Sequence, residues 1–128
     1  PAVIVAVTDG DRLLLSKYAG RSYASYALIA GYTEIGETME ETVHREVMEE
    51  VGLRVTNLRY YKSQPWGVDG NVLLGFFCDL DGSDEIHIDE NELSMAAWYP
   101  RDALPAHDDG ISLTREMIRI FGEGKEPK

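Results

Sequence analysis

The sequence contains a single cysteine, Cys78, among its 128 residues. One thiol cannot form an internal disulfide, and the apolar segment around it, Gly-Phe-Phe-Cys, predicts a buried strand thiol rather than a nucleophile. The sequence also lacks a run of about 18 apolar residues, so we expect no membrane-spanning helix. Its first residues carry no basic flank ahead of an apolar stretch. We therefore expect no secretory signal and a cytoplasmic location.

Basic residues are scarce, since 12 Lys and Arg stand against 23 Asp and Glu, giving a net charge of −11. This balance argues against broad electrostatic attraction to nucleic acid or anionic membranes. Seven of the acids lie between Gly31 and Leu53, where Arg45 is the one Lys or Arg. A cluster of that sign repels phosphate, so any phosphate chemistry at this segment requires a bound cation.

Three of these acids are spaced to share one side of a helix. Glu46, Glu49 and Glu50 fall within an arc of about 100° on an α-helix, where their charges repel one another. An oxygen-seeking cation such as Mg²⁺ or Mn²⁺ would remove this repulsion. The alternative is a solvated, charge-rich surface helix, which is the usual meaning of a run of Glu.

The residues around the acids repeat a longer pattern: Gly, five residues, Glu, seven residues, then Arg-Glu-apolar-any-Glu-Glu-any-Gly-apolar. Its fixed places are filled by Gly31, Glu37, Arg45, Glu46, Val47, Glu49, Glu50, Gly52 and Leu53. This pattern resembles the signature of the Nudix hydrolases. A surface helix would need neither Gly31 nor Glu37 at its distance, which favours the metal site over the alternative.

Local patterns place this segment on a helix between strands. Thr38 and Glu41 predict a capping box, and Gly52 predicts the end of the helix. An apolar stripe at every fourth residue predicts packing against a sheet, with Glu46 and Glu50 at its border; the stripe is Met39, Val43, Val47 and Val51. Strand patterns occupy residues 1–7, 13–15, 26–30, 53–64, 72–80, 85–88 and 93–98.

The remaining segments predict one domain. Residues 102–104 fit one helical turn, and a last helix begins at Ile111 or Ser112, with an apolar face of Leu113, Met117, Ile118 and Phe121. We expect a single domain over residues 1–128, with an ordered core to residue 121 and a flexible tail from 122 to 128. The resemblance implies the Nudix fold, an α/β/α sandwich in which a mixed sheet lies between helices.

A second match concerns the substrate. The segment Ser63-Gln64-Pro65-Trp66 resembles the start of a tag in the NADH pyrophosphatase (NAD⁺ diphosphatase) branch of the family, while residues 67–71 depart from that tag. The branch implies cleavage of NAD(H) to NMN(H) and AMP, NAD-capped RNA as a further substrate, and a homodimer in which residues near Trp66 reach the partner's site. In this branch a four-cysteine zinc ribbon usually precedes the domain. Two alternatives are a hydrolase of another nucleoside diphosphate, such as ADP-ribose or a dinucleoside polyphosphate, and a non-catalytic nucleotide-sensing module.

The resemblance also assigns residues to roles. For two or more Mg²⁺ or Mn²⁺ ions it implies the carbonyl of Ala30 and the carboxylates of Glu46, Glu49, Glu50 and Glu92, with Glu90 as the alternative to Glu92. It implies catalysis by Glu46, Glu49 and Glu50 with Arg45 and Glu37, and a general base that is Glu50 or Glu92. The substrate-binding residues it implies are Tyr32, Gln64, Trp66 and Asn71.

Overall fold

The computed structural model describes residues 1–20, 25–66, 70–105 and 112–128. In these ranges six strands form one sheet, and a helix lies on each of its faces. The strands are β1 (Ala2–Asp9), β2 (Arg12–Tyr18), β3 (Ile29–Tyr32), β4 (Val55–Trp66), β5 (Asn71–Leu80) and β6 (Leu93–Pro100); the helices are α1 (Met39–Val51) and α2 (Ser112–Gly122), with a single 3₁₀ turn at Arg101–Ala103.

The sheet is mixed, and β1 lies at its centre. One edge of β1 pairs in parallel with β5, while its other edge pairs antiparallel with β2 near residue 8 and with β3 over residues 2–5. The full order is β4-β5-β1-β2-β6, with β3 pairing to β1 outside that path. β2 and β3 therefore divide one edge of β1 between them, and the chain that leaves β3 leads into α1.

Alternation along β1 separates the two cores. Val3, Val5 and Val7 face α1, where Val43, Val47 and Val51 are buried against them. Ala2, Ile4 and Ala6 face α2 and pack with Leu113, Met117 and Phe121. The α/β/α arrangement and both apolar helix faces are therefore confirmed.

The ends of α1 follow the sequence rules. The Thr38 side chain accepts the backbone N–H of Glu41 at 3.1 Å, and the Glu41 carboxylate accepts the backbone N–H of Thr38 at 2.8 Å. At the other end Gly52 adopts the left-handed conformation with φ of 70°, and its N–H donates to Met48. The predicted capping box and the predicted helix stop are both confirmed.

Two predicted strands need correction. The strand expected at residues 26–30 begins instead at Ile29 and runs to Tyr32, because these are the residues that pair with β1. The strand expected at residues 85–88 is wrong, since the structure gives this segment no strand assignment. Its backbone bonds to the end of α1 instead, from His87 N–H to the carbonyl of Val51 at 2.9 Å.

The segment expected to be a flexible tail packs against the domain at its end. Arg101 donates from both terminal nitrogens to the buried Glu126 carboxylate, at 2.9 and 3.0 Å, and lies over the Phe121 ring at 4.0 Å. Arg59 Nε also donates to the carbonyl of Pro127 at 2.9 Å. Bidentate pairing of this kind fixes both partners. Arg101 and Glu126 are 25 positions apart in sequence, so a local sequence pattern does not predict the pair. In the described residues no helix is long and apolar enough to cross a membrane.

Candidate active site

A cleft of about 920 Å³ opens between β3 and the second half of α1. One part of its lining is acidic and comes from Glu46, Glu49 and Glu50 of α1 together with Glu92. Another part is apolar and comes from the sheet face that also carries α2, through Ala2, Ile4 and Leu73. The cleft therefore places a strongly negative wall beside a surface suited to an uncharged or aromatic group.

Glu50 is the most unusual side chain of the cleft. It is 3% exposed, and neither of its carboxylate oxygens accepts a hydrogen bond from the described residues. Burial, and after it the neighbouring carboxylates of Glu46, Glu92 and Glu49, raise the pKa of Glu50 to about 9. Burying a charged carboxylate that accepts no hydrogen bond costs free energy. The charge of Glu50 therefore requires neutralisation by a group or ion from outside the chain.

Arg45 is the cation that organises the acids. Its Nε and Nη2 donate to the two oxygens of Glu37 at 2.7 and 3.0 Å, and Nη2 also donates to the carbonyl of Tyr32 at 2.9 Å. Its Nη1 donates to Glu46 at 2.8 Å and to Glu49 at 3.3 Å. Since a guanidinium has five N–H groups, these contacts use the whole donor set. Arg45 therefore orients carboxylates of the site, as the resemblance implies.

Glu37 is held in its charged form. Arg45 is the main reason that the pKa of Glu37 is lowered to about 2, and a hydrogen bond from the Thr42 hydroxyl is the next. The backbone N–H of Glu34 donates to the same carboxylate at 3.1 Å. Glu37 lies outside the cleft lining, and both of its carboxylate oxygens accept hydrogen bonds from Arg45.

Gly31 allows Glu46 to lie against the β3 backbone. A Cβ added at Gly31 would stand 2.1 Å from the carboxylate carbon of Glu46. We expect Gly31→Ala to push this flexible side chain out of place while leaving the fold intact. The measurements are Mn²⁺ affinity, which should fall about tenfold, roughly the effect of losing one well-placed ligand contact, and the melting temperature, which should change little.

Gly122→Ala is the control, because Gly122, like Gly31, does not have a positive φ, and a Cβ there would meet the Leu104 side chain at 3.2 Å. Gly122 lies outside the cleft lining, so Gly122→Ala should leave Mn²⁺ affinity unchanged. Unchanged Mn²⁺ binding in Gly31→Ala would contradict the proposed role of the Glu46 carboxylate.

Backbone hydrogen bonds position the segment that carries Glu92 beside the cleft. The N–H of Asp89 donates to the carbonyl of Glu50 at 2.9 Å, and the N–H of Glu92 donates back to the carbonyl of Asp89 at 3.0 Å. Ala19 N–H in turn donates to the carbonyl of Glu92 at 2.9 Å. These bonds place Glu92, and not its alternative Glu90, in the lining of the cleft.

The four residues expected to bind substrate are placed differently from one another. Tyr32, which is 54% exposed, and Gln64 both line the cleft. Asn71 is absent from the lining, and its side-chain oxygen accepts the backbone N–H of Val72 at 2.9 Å. The side chain of Trp66 lies outside the described part of the structure, so its expected role stays a prediction.

The donor set suits a hard divalent cation. Carboxylate and backbone carbonyl oxygens are the ligands that Mg²⁺ and Mn²⁺ favour, and the unpartnered oxygens of Glu50 lie among them. Ala30, Glu46, Glu49, Glu50 and Glu92 all line the one cleft. In the described residues, however, no three acidic, His or Cys side chains converge as a ready-made metal-binding group. Two of these carboxylates, those of Glu46 and Glu49, accept instead from Arg45 Nη1, at 2.8 and 3.3 Å.

Several lining residues were missed in the sequence. Glu34 forms a long ion pair with Arg45 at 3.7 Å, and the carboxylate of Asp89 accepts the backbone N–H of Asn91 at 3.0 Å. Alternation along β1 identifies Ala2 and Ile4 as core residues, but it does not reveal that the end of this core is open. The acids near Glu92 could have been found as a cluster, whereas the apolar part of the cleft has no sequence signal.

Comparisons with known proteins agree with this geometry. The NAD-capped RNA hydrolase NudC of Erwinia tasmaniensis is 42% identical over 118 residues, covering 92% of this chain and 45% of that protein. The protein of the same name from Photobacterium profundum is 44% identical over 118 residues, covering 92% of this chain and 44% of that protein. The chain thus spans less than half the length of these curated relatives.

Solved structures share the fold. A NUDIX hydrolase from Nitrosomonas europaea superposes with a TM-score of 0.78 at 24% identity, over 96% of this chain and 71% of that one. A hydrolase of the NUDIX family from Clostridium perfringens gives 0.77 at 19% identity, over 98% of this chain and 97% of that one. A mixed sheet between two helices, with an acidic helix along a cleft, is therefore the Nudix fold.

The family follows from the sequence as well, because the NUDIX domain model matches residues 1–120. This chain belongs to the NUDIX domain family, and the resemblance found in its sequence is confirmed. Hydrolases of this family generally need divalent metal ions.

Proposed function

We propose that this chain is a metal-dependent hydrolase that splits the pyrophosphate bond of NAD(H)-like dinucleotides into NMN(H) and AMP. The observation that carries this proposal is the cleft itself, in which the carboxylates of α1 and the apolar sheet face around Ile4 line the same space. A diphosphate bound through cations would lie beside the acids, and a nucleoside ring would pack on the apolar part of the cleft. The identity of more than 40% to relatives named NAD-capped RNA hydrolase supports the dinucleotide as substrate.

The residues that would hold the cations are the Ala30 carbonyl and the carboxylates of Glu46, Glu49, Glu50 and Glu92. Two or more Mg²⁺ or Mn²⁺ ions bound there would neutralise the diphosphate and stabilise the charge that grows on its oxygens. Glu50 or Glu92 accepts a proton from the water that attacks phosphorus. The bond from that phosphorus to the bridging oxygen breaks, and the bridging oxygen leaves with the second phosphate.

Other residues of the chain orient the reactants. Arg45 keeps Glu46 and Glu49 directed toward the cleft, and Glu37 keeps Arg45 in place. The ring of Tyr32, at the mouth of the cleft, is positioned to stack on a base or a nicotinamide ring. A cationic nicotinamide over this ring would gain about 0.5 to 2 kcal/mol.

The direct test is a substrate panel. The purified chain is incubated with Mg²⁺ or Mn²⁺ and with NADH, NAD⁺, ADP-ribose, a dinucleoside polyphosphate or NAD-capped RNA, and the products are separated by chromatography. We expect NADH to give NMNH and AMP. Cleavage of ADP-ribose or the dinucleoside polyphosphate without cleavage of NADH would select the other nucleoside diphosphates. Cleavage of none of them, with nucleotide bound, would instead indicate a sensing module.

The Tyr32 role is tested within the same panel. Tyr32→Ala should raise KM for NAD⁺, whose nicotinamide ring is cationic, by about tenfold, the loss expected for one cation–π contact, while Tyr32→Phe should retain wild-type KM. Tyr60→Ala is the control, because Tyr60 is similarly exposed at 53% but lies outside the cleft lining. An equal KM in Tyr32→Ala and wild type would contradict the stacking role.

We also propose a homodimer, as the branch resemblance implies, with residues near Trp66 contributing to the partner's site. Sedimentation velocity measures this directly. A monomer at micromolar concentration that still cleaves NADH would show that the site is complete in one chain.

A further inference from the structure

Thr42 is a buried polar residue that belongs to no fixed place of the family signature. It lies on α1 and is fully buried, yet it carries a hydroxyl. That hydroxyl is 2.7 Å from a carboxylate oxygen of Glu37, 3.0 Å from the carbonyl of Thr38 and 3.3 Å from the hydroxyl of Thr33. A buried hydroxyl with three polar neighbours has a defined orientation.

Glu37 is the favoured acceptor for the single hydrogen of the Thr42 hydroxyl. The carboxylate is the nearest of the three neighbours and carries a charge, which makes it the stronger acceptor. The Thr38 carbonyl already accepts the backbone N–H of Thr42 at 3.0 Å. The Thr33 hydroxyl, 3.3 Å from that of Thr42, lies within donor distance of the Met39 sulfur at 3.6 Å.

The position of Glu37 is passed on to the acids of the cleft. Its oxygen that accepts from Thr42 also accepts from Arg45 Nη2 at 3.0 Å, and its other oxygen accepts from Arg45 Nε at 2.7 Å. The opposite side of the same planar guanidinium donates from Nη1 to Glu46 at 2.8 Å. A shift of Glu37 therefore rotates the Arg45 guanidinium that holds Glu46.

We propose that Thr42 is a positioning residue whose hydroxyl fixes Glu37 and, through Arg45, sets the place of the Glu46 carboxylate for metal binding. This inference rests on the proposed function for its consequence in catalysis, but not for the geometry of the chain of contacts.

The change Thr42→Val isolates the hydroxyl. Valine has the same shape, but it puts a methyl group where the hydroxyl stands 2.7 Å from the carboxylate. A carbon cannot approach an oxygen closer than about 3.3 Å without repulsion. Glu37 must then move away by roughly 0.6 Å, and Arg45 must follow it.

The experiment uses two direct readouts besides activity. Mn²⁺ binding is measured by the loss of the free-ion signal in electron paramagnetic resonance, and solvent exchange of the Arg45 Nε–H is measured by NMR. For Thr42→Val we expect about tenfold weaker Mn²⁺ binding, the equivalent of one hydrogen bond to a charged group, and faster exchange at Arg45. Thr42→Ser keeps the hydroxyl and should restore both to wild-type values.

Thr8→Val is the matched control. Thr8 is also buried, and its hydroxyl also lies near a carboxylate, 3.3 Å from that of Asp79, but it is on β1 and outside the cleft lining. It should leave Mn²⁺ binding and Arg45 exchange unchanged.

Wild-type exchange and Mn²⁺ affinity in Thr42→Val would overturn the inference, as would a Thr42→Ser variant as impaired as Thr42→Val. If the wild-type chain cleaves no nucleotide, the proposed function fails, and the exchange of Arg45 Nε–H still decides the role of Thr42.

Discussion

Replacing Glu50 by glutamine is expected to abolish hydrolysis and, in the metal-free protein, to increase stability. The substitution keeps the shape of the side chain and removes the charge that would bind a cation or accept a proton. Loss of such a group typically costs about 10³-fold in rate. The check is the rate of NADH cleavage at saturating Mn²⁺, with the melting temperature measured in chelator on the same samples.

The gain in stability has a defined pH dependence. The folded protein raises the pKa of Glu50 from 4.5 to about 9, so it binds this proton more tightly than the unfolded chain does. The stabilising contribution of the proton is complete below the unfolded value and is lost as the pH rises toward 9. Between pH 6 and pH 8 the free energy of unfolding of the wild type should therefore fall by about 3 kcal/mol, and Glu50→Gln should lack this fall.

Urea unfolding at the two pH values, in chelator, measures this difference. Glu40→Gln serves as the control, since Glu40 lies on the same helix but is exposed, and it should keep the wild-type pH dependence. A Glu50→Gln variant that still cleaves NADH, or one that is less stable than wild type at pH 8, would refute the assignment of Glu50 as a buried, externally neutralised acid.

Removing Arg45 is expected to have the second largest effect, on stability and activity together. Arg45→Ala leaves Glu37 and Glu46 without their cation, and both carboxylates are largely buried, with side-chain exposures of 12% and 13%. Breaking a buried ion pair from one side costs about 3 kcal/mol. Because the lost pairs also orient Glu46, activity should fall by about a hundredfold or more.

Arg45→Lys separates charge from geometry. Lysine restores the positive charge but cannot contact two oxygens of Glu37 and two further acids in one plane. We expect it to recover part of the stability and little of the activity. In the control Arg119→Ala, the lost pair with Glu123 is exposed, so stability should change by less than about 0.5 kcal/mol. A fully active Arg45→Lys would show that the planar arrangement is unnecessary.

The helix of the site was predictable because its rules are local. The capping residues, Gly52 and the stripe of valines each act over one or two helical turns, and all of them are confirmed in α1. The spacing also placed Glu46 and Glu50 at the border of that stripe, and both residues line the cleft. These features depend on the order of residues and little on the rest of the fold.

Other features depend on distant partners and could not be predicted. Residues 85–88 have the composition of a strand, but the backbone of this segment bonds to carbonyls at the end of α1, from His87 to Val51 and from Asp89 to Glu50. The anchoring of Glu126 comes from Arg101 across the domain. In each case the deciding contact joins segments far apart in sequence.

The acids of the cleft are held together by main-chain bonds between their segments, from Asp89 to Glu50 and from Ala19 to Glu92. Amide groups are the same whatever side chain they carry. The backbone hydrogen bonds that bring these positions together therefore do not depend on the charged side chains. The acidic side chains could be exchanged in combination, for instance to suit a lanthanide, without loss of the fold.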